Sequence, residues 1–136
     1  MAKDTLINYP VMVVSNFDKS FALAVDASNV GSGAVLLQED DLGVEHPICY
    51  FSKKFSRTQK NYSVIEKELL ALILALQHFS VYVPAYGPSV TVYTDHHPLK
   101  YLGSLKTKNQ RLTRWSLFLQ QFNLNVRFIP ILFIVN

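Results

Sequence analysis

The chain has 136 residues, 49% of them hydrophobic and 12% aromatic, and a formal net charge of +3. That length fits one domain with a sizeable core, and the composition excludes global disorder. The single cysteine, Cys49, excludes an internal disulfide, and no stretch reaches the ~18 apolar residues of a membrane span. A soluble protein of a reducing intracellular compartment is expected, cytoplasmic or nuclear, with no signal peptide, no transmembrane segment and no membrane partner.

Charge is laid out unevenly. Nine of the ten acids lie within residues 1–68, and the tenth is Asp95. Beyond it come only Lys100, Lys106, Lys108, Arg111, Arg114 and Arg127, and an earlier basic cluster holds Lys53, Lys54, Arg57 and Lys60. The asymmetry fits a polyanionic partner or an ordinary solvated basic face.

Residues 1–20 read as an extended lead-in, because Tyr9-Pro10-Val11 breaks any helix. Phe21–Asp26 and Gly33–Gln38 read as strands of a hairpin joined by a small-residue turn. Alternation puts Phe21, Leu23 and Val25 on one face and Ala22, Ala24 and Asp26 on the other. An acid ending a buried strand needs a cation, a metal or solvent to offset its burial. Glu39–Gly43 is a second turn and Glu45–Ser52 a third strand, which completes an antiparallel meander. Lys53–Asn61 reads as a basic loop.

The strongest helix spans roughly Tyr62–Phe79. Ser63 and Glu66 have capping-box spacing, and Ile65, Leu69, Leu72, Ile73 and Leu76 form a wide apolar stripe. Leu69–Leu76 is apolar all round, so deep burial is expected. Pro84 and Gly87-Pro88 break the chain, and Val90–Thr94 is a β-branched strand ending at Asp95. A short helical turn is expected from His96-His97-Pro98 through Tyr101, then a helix over Asn109–Gln121 and a last strand over Asn125–Ile129. The order predicts an α/β fold with a mixed sheet: a three-strand antiparallel meander, further parallel strands, and helices on both faces.

If the strand ending at Asp95 lies parallel beside the one ending at Asp26, the two carboxylates converge at one edge, since neighbouring strands lie ~4.8 Å apart. Glu66 and Glu68 point to different sides of the helix. Glu66 has the capping role, while Glu68, one turn before Leu72, faces the strand ends. Three oxygen-donor acids suit magnesium or manganese. Two such ions ~3.5–4 Å apart would activate water for phosphodiester cleavage. Each acid also has a plainer role: a turn for Asp26, a cap for Asp95, solvation for Glu68. His46, Cys49, His78, His96 and His97 lack zinc-type spacing. Tyr62, Phe79, Tyr82 and Trp115 read as core or rim aromatics.

Several stretches, in order, carry a resemblance. They are Tyr9-Pro-Val, Phe17-Asp-Lys-Ser-Phe21, Asp26-Ala-Ser, Gly31-Ser-Gly-Ala-Val-Leu36 and Tyr50-Phe-Ser. Asn61-Tyr-Ser-Val-Ile-Glu-Lys-Glu-Leu-Leu-Ala71, Tyr93-Thr-Asp-His and Arg111-Leu-Thr-Arg-Trp115 complete the set. Over about residues 6–130 the chain resembles the ribonuclease H domain of gypsy-type long-terminal-repeat retrotransposon reverse transcriptase polyproteins. The resemblance implies a ribonuclease H-like fold for residues 21–130 and magnesium-dependent endonucleolytic hydrolysis of RNA in RNA–DNA hybrids. Two Mg2+ ions are implied, with Mn2+ as the alternative, held by Asp26, Glu68 and Asp95 as catalytic acids. Ser28, Lys53, Arg57 and Lys60 are the candidate nucleic-acid contacts. Residues 1–20 resemble the tail of the reverse transcriptase region, so that region of a parent polyprotein is an expected partner beside the hybrid.

The chain departs from the family after Pro130. Family members continue there with a glycine-containing turn and a closing helix bearing a fourth acid, whereas residues 131–136 read Ile-Leu-Phe-Ile-Val-Asn. The expectation is a domain without its closing helix, an apolar tail foreign to the family, and cleavage weakened or lost. Two further readings stay open: a relic that binds nucleic acid or protein without catalysis, and a fragment that does not fold stably alone.

Overall fold

Strands form where apolar residues alternate between turn residues. In a computed structural model, which describes residues 19–95 and 109–128, β1 is Phe21–Ala27, β2 Gly31–Glu39 and β3 Glu45–Lys54. These three are paired antiparallel in the expected meander, with an irregularity between Leu36 and Leu37. Two later strands, β4 (Val90–Thr94) and β5 (Leu124–Phe128), add in parallel to give the order β3-β2-β1-β4-β5. The β2–β3 turn is organised by Asp40, whose Oδ1 accepts from the N–H groups of Leu42 at 2.8 Å and Val44 at 3.0 Å. Gly43 in that turn has φ 81°, a left-handed conformation that favours glycine.

The expected basic loop is largely structured. The ladder continues through Ser32–Lys53 and Gly31–Lys54, so both lysines belong to β3. Arg57–Lys60 then forms a single helical turn, α1, because Ser56 and Gln59 satisfy each other's backbone N–H groups in a capping box. Gly31 permits this close pairing: a Cβ there would lie 2.8 Å from the Lys53 carbonyl oxygen.

The long helix, α2, spans Val64–His78 between caps at Ser63 and Phe79, and a third helix, α3, spans Gln110–Leu119 with Asn109 as its N-cap. Every residue from Leu69 to Leu76 is buried except Leu74, which is half-buried. The main core joins Phe21, Leu23 and Val25 of β1 to Leu69, Leu72 and Leu76 of α2, with Leu112 and Leu119 of α3 in the same cluster. The deep burial expected of α2 is therefore present.

On the opposite face lies a smaller cluster of Ala22, Ala24, Val35 and Leu37, with Tyr93 packed against it. The Tyr93 hydroxyl donates to Glu45 Oε1 at 2.7 Å. Because β1 and β2 separate β4 from β3, this side chain reaches across the two alanines, whose small size leaves room for it. Burial, then the Glu45 carboxylate, pushes the Tyr93 phenol up to about 12.

Among the described residues no helix is long and apolar enough to cross a membrane. The lead-in over 1–18, the helical turn expected over 96–101, Ile129 and the tail at 131–136 lie outside the described residues. Tyr93→Phe removes the donor to Glu45 while keeping the ring, and it is expected to cost roughly 1–2 kcal/mol in urea unfolding.

Candidate metal centre

Parallel pairing of β1 with β4 brings two strand ends together. Ala24 stands opposite Tyr93, and continuing that register by two residues sets Asp26 against Asp95 on the same face. The third acid comes from α2, which connects the meander to β4 and starts at this end of the sheet. Glu68 sits one turn ahead of Leu72 and is only 4% exposed. One carboxylate oxygen from each of Asp26, Glu68 and Asp95 lies within 4.8 Å of the others. Asp26 is half-buried and Asp95 exposed, so the cluster opens to solvent on one side. Asp26 also has a local tie: its Oδ1 accepts from the Ala27 N–H at 3.0 Å.

Three carboxylates this close repel one another, and burial of Glu68 adds a desolvation cost. A divalent cation offsets both. The donor set is all oxygen, with no sulfur or imidazole in the group, which fits a hard ion such as Mg2+ or Mn2+.

Beside Asp26 runs a cavity of about 460 Å3, lined among others by Ser28, Gly33, Ser52, Lys53 and Lys54. Gly33 lies between Asp26 and Ser52 in the ladder, so no side chain interrupts the row between them. Ser28 serves its own turn: its Oγ accepts from the N–H groups of Val30 and Gly31, each at 3.2 Å. Of the candidate nucleic-acid contacts, Ser28 and Lys53 thus share this cavity with Asp26. Arg57 and Lys60 lie on α1, exposed and outside its lining.

The first turn of α2 is tied on several sides. Ser63 Oγ accepts from the Glu66 N–H at 3.2 Å, and Glu66 Oε1 accepts from the Ser63 N–H at 2.9 Å. Glu66 Oε2 pairs with Arg111 of α3, whose guanidinium lies 4.1 Å from the Tyr62 ring centroid and 5.6 Å from that of Trp115. Lys67, only 9% exposed, donates from Nζ to the Asn29 carbonyl at 3.3 Å. Reading the sequence missed Arg111 and Lys67 as ties to α2. The capping box was visible in local spacing, whereas the partners of Arg111 and Lys67 lie 45 and 38 residues away.

Burial pushes the Glu66 carboxyl up, but the Ser63 N–H and the Arg111 guanidinium outweigh it and hold it below 4.5. A lowered folded value means the contribution is present above the unfolded value and is lost as pH falls through the folded one. Glu66→Gln is therefore expected to unfold at lower urea than the parent at neutral pH. The gap should close as pH falls below about 4.5, read from urea midpoints across the acid range.

A family model described as "RNase H-like domain found in reverse transcriptase" matches residues 16–122. The Transposon Tf2-3 polyprotein of Schizosaccharomyces pombe is 39% identical over 130 residues, which is 94% of this chain and 10% of that polyprotein. The Tf2-4 polyprotein of the same yeast matches equally. The chain thus spans about a tenth of the length of the curated relatives it matches. Among solved structures, the foamy viral protease-reverse transcriptase in complex with dsDNA superposes with a TM-score of 0.66 at 17% identity, covering 85% of this chain and 24% of that one. LC11-RNase H1 in complex with RNA/DNA hybrid gives 0.51 at 18%, covering 82% and 86%. RNase H1 from Halobacterium salinarum gives 0.53 at 17%, covering 82% and 86%. These likenesses establish a ribonuclease H-like fold. On the strength of the family match and the polyprotein relatives together, the chain belongs to the RNase H-like domains found in reverse transcriptases.

Proposed function

We propose that this domain hydrolyses the RNA strand of RNA–DNA hybrids at a divalent-metal centre held by Asp26, Glu68 and Asp95. The observation that carries this reading is the convergence of three carboxylate oxygens within 4.8 Å. The family supports it, and so does a foamy viral protease-reverse transcriptase solved in complex with RNA/DNA hybrid, which shares the fold at a TM-score of 0.62. Bound there, a pair of Mg2+ ions, or Mn2+ in their place, would activate water and neutralise charge at the leaving oxygen.

The chain's own residues divide the remaining work. Asp26 is held in the β1–β2 ladder, Asp95 directly follows β4, and Glu68 is placed by the packing of α2, so the donor set is organised before a substrate arrives. Lys53 and Lys54 line the cavity beside Asp26 and would take backbone phosphates, with Arg57 and Lys60 extending the contact. Ser28 lies in the turn next to Asp26, where a sugar or phosphate oxygen would pass. In this reading residues 21–130 are the domain. Residues 1–20 lead in from a reverse transcriptase region, and 131–136 lie outside the domain.

Binding without cleavage is a second reading, and it is favoured by one observation: the exposed basic run Lys53, Lys54, Arg57 and Lys60 can grip a nucleic-acid backbone without any metal.

A labelled RNA–DNA hybrid incubated with the chain and Mg2+ separates the two. The first reading expects cleavage products that vanish with chelator. It also expects a rate loss on the order of a thousandfold for Asp26→Asn or Asp95→Asn, equivalent to about 4 kcal/mol of transition-state stabilisation. Binding with no metal-dependent product supports the second reading. Cleavage that survives both substitutions together removes the mechanism. Hybrid binding itself should weaken as salt rises, and replacing Lys53 and Lys54 by Ala should reduce the slope of log affinity on log salt by about 1–2.

A further inference from the structure

Glu66 and Lys67, the two residues immediately before Glu68, are each tied to a different element. Lys67 reaches the β1–β2 turn that follows Asp26, while Glu66 reaches α3 through Arg111. The Arg111 contact is built from more than charge. Its guanidinium faces the Tyr62 ring at 4.1 Å, and the Tyr62 and Trp115 rings meet edge to face at 5.8 Å. The pair is partly sheltered, with side chains 30% and 15% exposed for Arg111 and Glu66. Tyr62, Ser63 and Glu66 together make the entry of α2, so Arg111 grips that entry on its stacked ring and its capping carboxylate at once.

We propose that Arg111 is a positioning residue for the three-carboxylate cluster, acting through Glu66. By holding the entry of α2 it sets the rotation and height of the first two turns, and so the point at which Glu68 meets Asp26 and Asp95. Metal sites tolerate misplacement of only about 0.5 Å, so a slight turn of the helix suffices to degrade one. The inference rests on the proposed metal-binding reading of the cluster.

Charge alone makes the opposite claim. A nearby cation repels a metal ion, so losing the Arg111 charge would by itself tighten metal binding. Replacing Glu66 and Arg111 together by Gln removes one charge of each sign and leaves the net charge unchanged. The amide oxygen introduced by Glu66→Gln can still accept from the Ser63 N–H, so the helix cap is kept. A change in metal affinity in that double variant therefore reports position.

The test titrates Mn2+ into the full chain and follows free Mn2+ by electron paramagnetic resonance, at a temperature where circular dichroism shows each variant folded. The parent chain should bind, and Asp26→Asn should not. Glu66→Gln/Arg111→Gln should bind about tenfold more weakly. Leu119→Ala, a buried α3 substitution away from the cluster, should lower Tm without weakening Mn2+ binding. Should the double variant not fold, Arg111→Lys keeps the charge but loses the planar fork and stack, and it should also bind more weakly. A folded double variant, or Arg111→Lys in its place, that binds as tightly as the parent overturns the proposal. So does a Leu119→Ala chain weakened to the same degree. A parent chain that binds no better than Asp26→Asn overturns the metal reading itself, and with it the role of Arg111.

Discussion

Mutual repulsion among Asp26, Glu68 and Asp95 is the constraint around which the rest of the domain is arranged. Untethered carboxylates would drift apart into solvent, yet here they approach within 4.8 Å, and one of them is 4% exposed. What keeps them together is elsewhere. Asp26 is held in the ladder opposite Gly33 of β2, Asp95 directly follows β4 at the same sheet end, and the apolar stripe of α2 packs the third over that end. The stability of the core is in this sense spent on a cluster that by itself opposes folding, a cost that a bound cation would offset.

The two sheet faces serve this arrangement differently. The Leu23 face is a conventional aliphatic core that fixes where α2 lies. The Ala24 face is built of small residues crossed by Tyr93, so Asp26 and Asp95 emerge on a side where bulk has been kept low near their strands. Farther along the same face the row from Asp26 through Gly33 to Ser52 stays free of large side chains and opens into the cavity lined by Lys53 and Lys54. Asp26 shares this cavity with Lys53 and Lys54, so one acid of the cluster stands beside basic residues, an arrangement that suits a phosphodiester backbone.

Features carried by local pattern were legible in the sequence. Alternation in Phe21–Asp26, the β-branched run Val90–Thr94 and the apolar stripe of Leu69–Leu76 each located an element. The crossover-helix rule suggested that Asp26 and Asp95 end parallel strands, and capping chemistry turned Glu68 rather than Glu66 toward them. The extent of β3 was not legible, because Lys53 and Lys54 have poor strand propensity and are held in the ladder by pairing with Ser32 and Gly31. Nor was the single turn of α1, whose Ser56–Gln59 box is brief and has no buried residue. Arg111, Lys67 and the Tyr93–Glu45 bridge were invisible for a shared reason. Each joins residues 38 to 48 positions apart, and only tertiary packing makes them neighbours.

In the proposed reading the three carboxylates form one divalent-cation site. A crystal of the chain soaked in Mn2+ and measured for anomalous scattering tests it most directly. A peak is expected between Asp26, Glu68 and Asp95, with carboxylate oxygens about 2.0–2.3 Å from the ion. Anomalous density elsewhere on the molecule, with none among these three side chains at saturating Mn2+, would contradict it.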